Sequence, residues 1–212
     1  MKVLDLSFSD PQENLTCDDE LLLKADKAGG PEVLRFWESP VVFVVLGRAC
    51  DEESDVHRDM CQKDGIPVLR RSSGGGTVVQ GPGCLNFALV LSRSRHADLL
   101  SITRSYEYIL KKVTRALEDC GIEAEFRPVC DLVLPGGEKK FSGHAQRRSR
   151  THILHHGTIL YGSDISLVTR YLKMPPKMPE YRRSRSHEDF ITNVSLDVPR
   201  FKKALVSAWT LL

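Results

Sequence analysis

Leu69–Gly83 reads LRRSSGGGTVVQGPG. Two arginines and two serines run into three consecutive glycines, Gly74, Gly75 and Gly76, and the strand-forming Thr77, Val78 and Val79 follow at once. Glycine tolerates positive φ and lets backbone N–H groups approach a ligand with no side chain between. Three in a row beside a strand make a floor of main-chain donors on which a flat or anionic ligand could lie. Ser73 borders that floor, and Arg70 and Arg71 are placed to meet phosphate or carboxylate. A flexible turn is the plainer meaning of the same letters. No G-K-[ST] follows, so the stretch is not a P-loop.

The segments on either side set the fold class. Val41 to Leu46 is apolar on both faces and predicts a central strand, set off from the strand before it by Ser39-Pro40. LTCDDELLLKADKAG predicts a helix capped by Thr16 and ended by a glycine pair. VHRDMCQKDGIPVLRR reads as a short helix, a turn at Asp64-Gly65 and a strand, and CLNFALVLS as a further strand. Leu99, Ile102, Tyr106, Ile109, Leu110, Val113 and Leu117 recur at three- and four-residue steps and predict the clearest helix, stopped by Gly121. EAEFRP, CDLVLPGGEKKFSGHAQRR and THILHHGTILYG then read as strands joined by tight turns, with Pro135-Gly136-Gly137 one of them. Two weaker helices, near 165–172 and 198–209, flank KMPPKMPEYRRSRSHED, a predicted surface loop. This alternation predicts an α+β fold, a mixed β-sheet flanked by helices.

Composition narrows the class. The 212 residues suit a single domain spanning 1–212, and that length can bury a core without disulfide or metal staples. A net charge of +2 gives no mandate for nucleic acid. The six cysteines form no C-x-x-C pair and no zinc spacing. No apolar run approaches the roughly 18 residues of a membrane span, and MKVLDLSFSDPQ is no signal peptide. The expectation is a cytoplasmic protein with reduced thiols and no membrane partner.

A second stretch carries the chemistry. GGEKKFSGHAQRRSRTHILHHGTIL holds Lys139 and Lys140, the small step Ser142-Gly143, and His155-His156-Gly157-Thr158. RRSSGGGTVV…GPGCLN, KKFSGHAQ and HHGTIL, in that order, resemble the lipoate–protein ligase branch of the biotin/lipoate ligase and transferase family. N-L-x-x-D-x-x-L-L near the N-terminus and VVFVVLGR support the resemblance, which covers nearly the whole chain.

What the resemblance implies is a catalytic domain of the class II aminoacyl-tRNA synthetase and biotin synthetase-like fold. Its members use ATP to turn lipoate or octanoate into acyl-AMP. The acyl group then passes to a lysine of a lipoyl domain or of glycine-cleavage H protein. Carried over by position, Arg71, Gly74, Gly75, Gly76, Thr77, Val78 and Val79 match the adenylate-contacting stretch, and Lys140 matches the single essential lysine. Ser142, Gly143, His144 and Ala145 match the acyl-pocket wall, and His155, His156, Gly157 and Thr158 the adjoining strand; Arg70 and Ser73 join them as substrate-side candidates.

The chemistry agrees with these types. A carboxylate attacking an α-phosphate brings two anions together, and acyl transfer then builds charge on a carbonyl oxygen; a fixed cation stabilises both. Neighbouring strand residues face opposite ways, so only one of Lys139 and Lys140 points inward, and the register with Ser142-Gly143 selects Lys140. The same alternation sets His155 and His156 on opposite faces. Asp131 is a candidate to orient Lys140 or to hold Mg²⁺, with a solvated or turn-capping carboxylate as the plain alternative.

Several positions depart from the family pattern. Gln80 stands where histidine is usual, Cys130 where asparagine is, and GRACDEE replaces a glutamine-bearing loop. The end near Leu212 leads to the expectation that no C-terminal accessory domain follows, so either a separate subunit would supply it or the protein does not use ATP. Octanoyl transfer through a cysteine thioester on Cys130 or Cys84 is a sister activity, and a non-catalytic lipoate-binding protein is a third reading. The two RRSR stretches, at 147–150 and 182–185, read as solvated turns or as a docking surface for an acidic carrier domain.

Overall fold

The computed structural model describes residues 1–128 and 130–210. In chain order the elements are β1 (Lys2–Asp5), α1 (Pro11–Ala28), β2 (Val33–Trp37), β3 (Phe43–Leu46), α2 (Glu52–Asp55), α3 (Arg58–Asp64), β4 (Val68–Arg70), β5 (Val78–Gln80), β6 (Cys84–Ser92) and α4 (Ile102–Glu118). They continue with β7 (Glu125–Arg127), β8 (Asp131–Val133), β9 (Lys140–Arg148), β10 (His152–Leu160), α5 (Ser166–Tyr171), α6 (His187–Phe190) and α7 (Val198–Thr210). A seven-stranded sheet runs β1-β2-β6-β10-β9-β8-β7, and a three-stranded sheet runs β4-β3-β5. β1–β2 and β3–β4 are parallel while the other pairs are antiparallel, so the architecture is the predicted mixed α+β.

Strand alternation gives the large sheet two apolar faces. On one, Phe36, Phe87, Leu89, Ile153 and Ile159 pack against Ile109, Val113 and Leu117 of α4 and Phe201, Leu205 and Trp209 of α7. On the other, Ala88, Val90 and Leu154 meet Leu22 and Ala25 of α1, and Trp37 meets Phe43 and Val45 of the small sheet. The second face is therefore shared between a helix and a sheet, and the glycine segment and Lys140 lie on this side. The apolar run at Phe43–Leu46 takes the centre of the small sheet, with both its sides buried.

Two helix starts differ from the periodicity. The first helix begins at Pro11, not after Thr16, because the Asp10 carboxylate accepts from Gln12 N at 2.8 Å and proline fills the first turn. The helix read most clearly from periodicity begins at Ile102, where Ser101 caps Arg104 N, and residues 97–100 form a separate 3-10 turn. One buried cluster ties the N-terminus down. Arg35 is fully buried, pairs with Asp18 at 2.6 Å, and donates to Leu6 O, Asn14 O and Asn14 Oδ1.

The Pro/Arg-rich stretch is not a plain surface loop. It contains a 3-10 turn at Glu180–Arg182 and α6, with Arg182, His187 and Phe190 buried. Most of the two RRSR stretches is engaged rather than a free basic patch, while Arg150 and Arg183 stay exposed at turns as the solvated-turn reading expects. Arg147 pairs with Asp19 at 3.1 Å, Arg148 donates to Ser105 Oγ and Leu99 O, and Arg182 and Arg185 brace their own turn.

Candidate active site

A β-bulge aims the central lysine. In the β8–β9 ladder Asp131 pairs with Gly143, Leu132 with Ser142 and Val133 with Lys140, so Phe141 is an extra residue without a partner. A bulge shifts the alternation by one position. Phe141 and Ser142 both turn toward the α4/α7 core, and Lys140 returns to the opposite face. There its Nζ folds back over Gly143, where an added Cβ would lie 3.0 Å from it, and reaches Asp131 Oδ1 at 2.7 Å. Lys139 donates to Glu188 O instead. The second oxygen of Asp131 accepts from Tyr181 Oη at 2.5 Å.

The glycine segment lies over the same face. Gly75 has φ +84°, and a Cβ there would touch Ala145 Cβ at 3.4 Å and Arg71 Nη2 at 2.8 Å. Ala145 and Gly143 are two residues apart on one face of β9, so the glycine ledge and the Lys140 ammonium sit about 7 Å apart along one strand. Gly74 and Gly76 have nothing within 4 Å of an added Cβ. The ledge is thus packed on one side and open on the other, which suits a flat, anionic occupant.

Both arginines hold loops. Arg71 donates from Nη2 to Gly74 O and Gly76 O, each at 2.7 Å, and from Nε to Ser73 Oγ at 3.1 Å. Burial draws its pKa down to about 10, so it stays cationic at neutral pH. Arg70 donates to Gly47 O at 2.9 Å and Cys50 O at 2.7 Å. The sequence expectation of two anion-meeting guanidinium groups is corrected to this extent: backbone carbonyls of the neighbouring loops occupy those donors, so both side chains brace loops. Ser72 and Arg147 both bond Asp19, which fixes the ledge to α1.

The motif residues divide between the two faces. Gly143, Ala145, His156 and Thr158 face the ledge. Ser73 Oγ meets His156 Nε2 at 2.7 Å, and burial followed by the Arg71 charge holds that imidazole neutral with a pKa near 3. Thr158 is taken up in a ring with Gln80 Nε2 at 3.0 Å and Asn86 Oδ1 at 2.9 Å, which bolts β5, β6 and β10 together. Thr77 donates to Asp55 Oδ2 at 2.5 Å. Val78 faces the large sheet, while Val79 packs into the far side of the small sheet.

Ser142, His144 and Gly157 lie on the α4/α7 side. Ser142 Oγ meets His144 Nε2 at 2.9 Å, and His144 Nδ1 meets His155 Nε2 at 3.2 Å. A Cβ on Gly157 would come within 2.2 Å of His144. Assigning the Ser142 and His144 side chains to the acyl-pocket wall is corrected accordingly: the bulge at Phe141 turns them to the opposite face, so only their backbone borders the ledge side. His155 and His156 do face opposite ways.

Cys130 directly precedes Asp131, its thiol pushed up chiefly by burial and then by the Asp131 charge, with the Lys140 and Arg71 charges opposing. Cys84 is buried and pushed up to about 12. Neither environment generates a thiolate. Among the described residues no group of three His, Cys, Asp or Glu stands together as a metal site, and both Asp131 oxygens are engaged, so these residues do not fit a protein-held Mg²⁺. Tyr181, Asp19 and Asp55 escaped sequence reasoning. Only Asp19 carried a signal, as the residue after Asp18 in the N-L-x-x-D-x-x-L-L pattern.

Comparison with known proteins places this geometry. A family model described as the lipoyl protein ligase A/B catalytic domain matches residues 10–210. The "Probable lipoate-protein ligase A" of Mycoplasma pneumoniae is 28% identical over 205 residues, covering 94% of this chain and 58% of that protein. A bi-partite lipoate protein ligase of Thermoplasma acidophilum, solved in a study with its E2 lipoyl domain, superposes with TM-score 0.84 at 26% identity, covering 99% of this chain and 82% of that one. A lipoate-protein ligase A solved with bound ATP superposes with TM-score 0.78 at 26% identity over 99% of this chain and 83% of that one. The chain spans about half the length of several curated relatives it matches and 76% of the "Lipoate-protein ligase A subunit 1" of Thermoplasma acidophilum.

Proposed function

Because the chain belongs to the lipoyl protein ligase A/B catalytic-domain family, we propose that it is a lipoate–protein ligase. In this reading it activates lipoate or octanoate with ATP as acyl-AMP. It then transfers the acyl group to a lysine of a lipoyl domain or of glycine-cleavage H protein. One observation carries the reading: Lys140, held by Asp131, stands on the same strand face as an open glycine ledge.

The chain's residues divide the work as follows. Backbone N–H groups of Gly74 to Gly76 and the Val78 side of the Thr77–Val79 segment receive the adenylate, with Arg71 close behind them. The acyl chain runs along Gly143 and Ala145 toward His156, whose neutral ring and Ser73 partner line the ledge without adding charge. The Lys140 ammonium stabilises charge on the phosphoryl oxygens in the first step and on the carbonyl oxygen in the second. ATP supplies the adenylyl group that makes the carboxylate an acyl donor. Mg²⁺ would arrive as the counter-ion of the nucleotide phosphates, since magnesium commonly binds through substrate phosphates with few protein carboxylates.

The bi-partite nature of the Thermoplasma relative supports a second polypeptide working with this domain, and the lipoyl domain in that study supports the acceptor class. A thioester-forming octanoyltransferase is the weaker reading, because burial raises the pKa of both candidate thiols. A non-catalytic binding protein is likewise a weaker reading, because the relatives are named as ligases.

The test is Lys140→Ala. Removing one charge-stabilising donor lowers kcat about 10²- to 10³-fold, read by mass spectrometry of acylated lipoyl domain with ATP, lipoate and any second subunit present. Turnover equal to that of the unsubstituted protein would refute the assignment. Loss of activity with an unchanged melting temperature supports it.

A further inference from the structure

Tyr181 is assigned no role by the family motifs, yet its phenol donates to Asp131 Oδ2 at 2.5 Å while Lys140 holds Oδ1 of the same carboxylate at 2.7 Å. Asp131 is buried to 9% side-chain exposure and Lys140 to 27%, so this three-member chain sits largely out of water. A carboxylate held through one oxygen alone can rotate and offer both oxygens to the ammonium. Held by the phenol as well, it has one orientation.

The segment bearing Tyr181 is built for placement. Arg182 lies over the Phe190 ring, its guanidinium carbon 4.7 Å from the centroid, and donates to Arg185 O at 3.1 Å. Arg185 returns a bond to Tyr181 O at 3.0 Å and reaches Glu138 O in the β8–β9 connection. The Tyr181 and Phe190 rings are 5.4 Å apart. Its far end is fixed to the lysine itself, because Thr192 N donates to Lys140 O at 2.9 Å. Arg183 and Ser184 follow in the left-handed region at φ 51° and 56°. Two successive non-glycine residues there persist only where the surroundings determine them. Burial and the Asp131 charge push the phenol's ionisation up, so it remains a donor across the working pH range.

We propose that Tyr181 is a positioning residue for Lys140: by holding the outer oxygen of Asp131 it keeps the carboxylate from closing on the ammonium, which stays directed at the ledge. The inference rests on the ligase reading for its consequence in turnover, but its geometric part is testable without any activity. The phenol touches no reacting atom in this scheme and acts only through Asp131.

The experiment uses Tyr181→Phe, Asp131→Asn and the double variant, with two readouts. The first is competitive labelling of lysines by an activated ester, with exposed Lys203 as internal reference. Lys140 labelling should fall in Tyr181→Phe and fall no further when that change is made in the Asp131→Asn background. The second is steady-state acylation of a lipoyl domain. There Tyr181→Phe should lower kcat about tenfold through misplacement of the ammonium, with KM for lipoate held within about twofold and the melting temperature within about 4 °C. Unchanged labelling and kcat in Tyr181→Phe would overturn the proposal, as would an equal drop in labelling in the Asp131→Asn background. Should the unsubstituted protein fail to acylate with any second subunit present, the ligase reading falls and the labelling pattern alone decides the positioning role.

Discussion

Replacing Gly47 by alanine should separate activity from stability. Gly47 ends β3, and an added Cβ would lie 2.0 Å from Gly75 O and 3.0 Å from its carbonyl carbon. Both are backbone atoms of the glycine ledge, so no flexible side chain can yield. Ordinary contact begins near 3.4 Å, so the carbonyl has to retreat by about 1.4 Å. The retreat strains two links between the loops, Arg48 N to Ser73 O at 2.8 Å and Cys50 Sγ to Gly75 O at 3.4 Å. At about 1 kcal/mol each, their loss lowers stability by about 1 to 2 kcal/mol, or about 2 to 8 °C in melting temperature for a chain of this size. Misplacing a binding surface by about 1 Å costs about 10²-fold in rate. Gly47→Ala should therefore melt as a folded protein and lose about two orders of magnitude in kcat/KM for lipoate, read by acylation of a lipoyl domain alongside circular dichroism. Full activity in a protein of unchanged melting temperature would refute the claim that the ledge position sets catalysis.

Gly74→Ala and Gly76→Ala make the companion pair. Neither meets an atom within 4 Å, so stability should stay within about 0.5 kcal/mol, and a selective rise in KM for ATP or lipoate would report a ligand lying on the open side. Gly157→Ala should do the reverse: its Cβ meets His144 at 2.2 Å and Phe87 at 2.8 Å in the core, an overpacking that costs about 1 to 3 kcal/mol and is read in denaturant melts. Asp26 accepts from Thr151 Oγ1, Thr151 N and Ser149 Oγ, and those bonds draw its pKa down to about 2. A carboxylate with a lowered folded pKa stabilises above its unfolded value near 4 and loses that contribution as pH falls toward about 2. Asp26→Asn should therefore flatten the dependence of melting temperature on pH across that window. Incubation with an octanoyl thioester followed by intact-mass measurement should show no hydroxylamine-sensitive adduct on Cys84 or Cys130, given their raised thiol pKa values; an adduct would revive the transferase reading.

Local rules were enough for much of this molecule. Strand-forming runs between turn signals named β6, β9 and β10, three- and four-residue steps named α4, and the glycine pair at 136–137, both at positive φ, marked the β8–β9 turn. The opposite facing of His155 and His156 followed from alternation alone. The misplaced helix start had a local signal too, Asp10-Pro11, which outranks the weaker cap at Thr16.

The sequence by itself determined the class of the fold, most of its strands and helices though not β1, α2 or α6, and a lysine pair on a strand in the same chain as a glycine floor. These rest on interactions between near neighbours, which a linear string records. The tertiary structure decided which face each motif residue serves. Strict alternation from Ser142 and His144 would have sent Lys140 into the α4/α7 core, and only the unpaired Phe141 against β8 returns it to the ledge. It also decided that Arg70, Arg71 and the two RRSR stretches are braces, and that Tyr181, fifty residues from Asp131 in the chain, completes the lysine's surroundings. Those outcomes depend on register and on contacts between distant segments, where a shift of one residue exchanges the two faces of a strand.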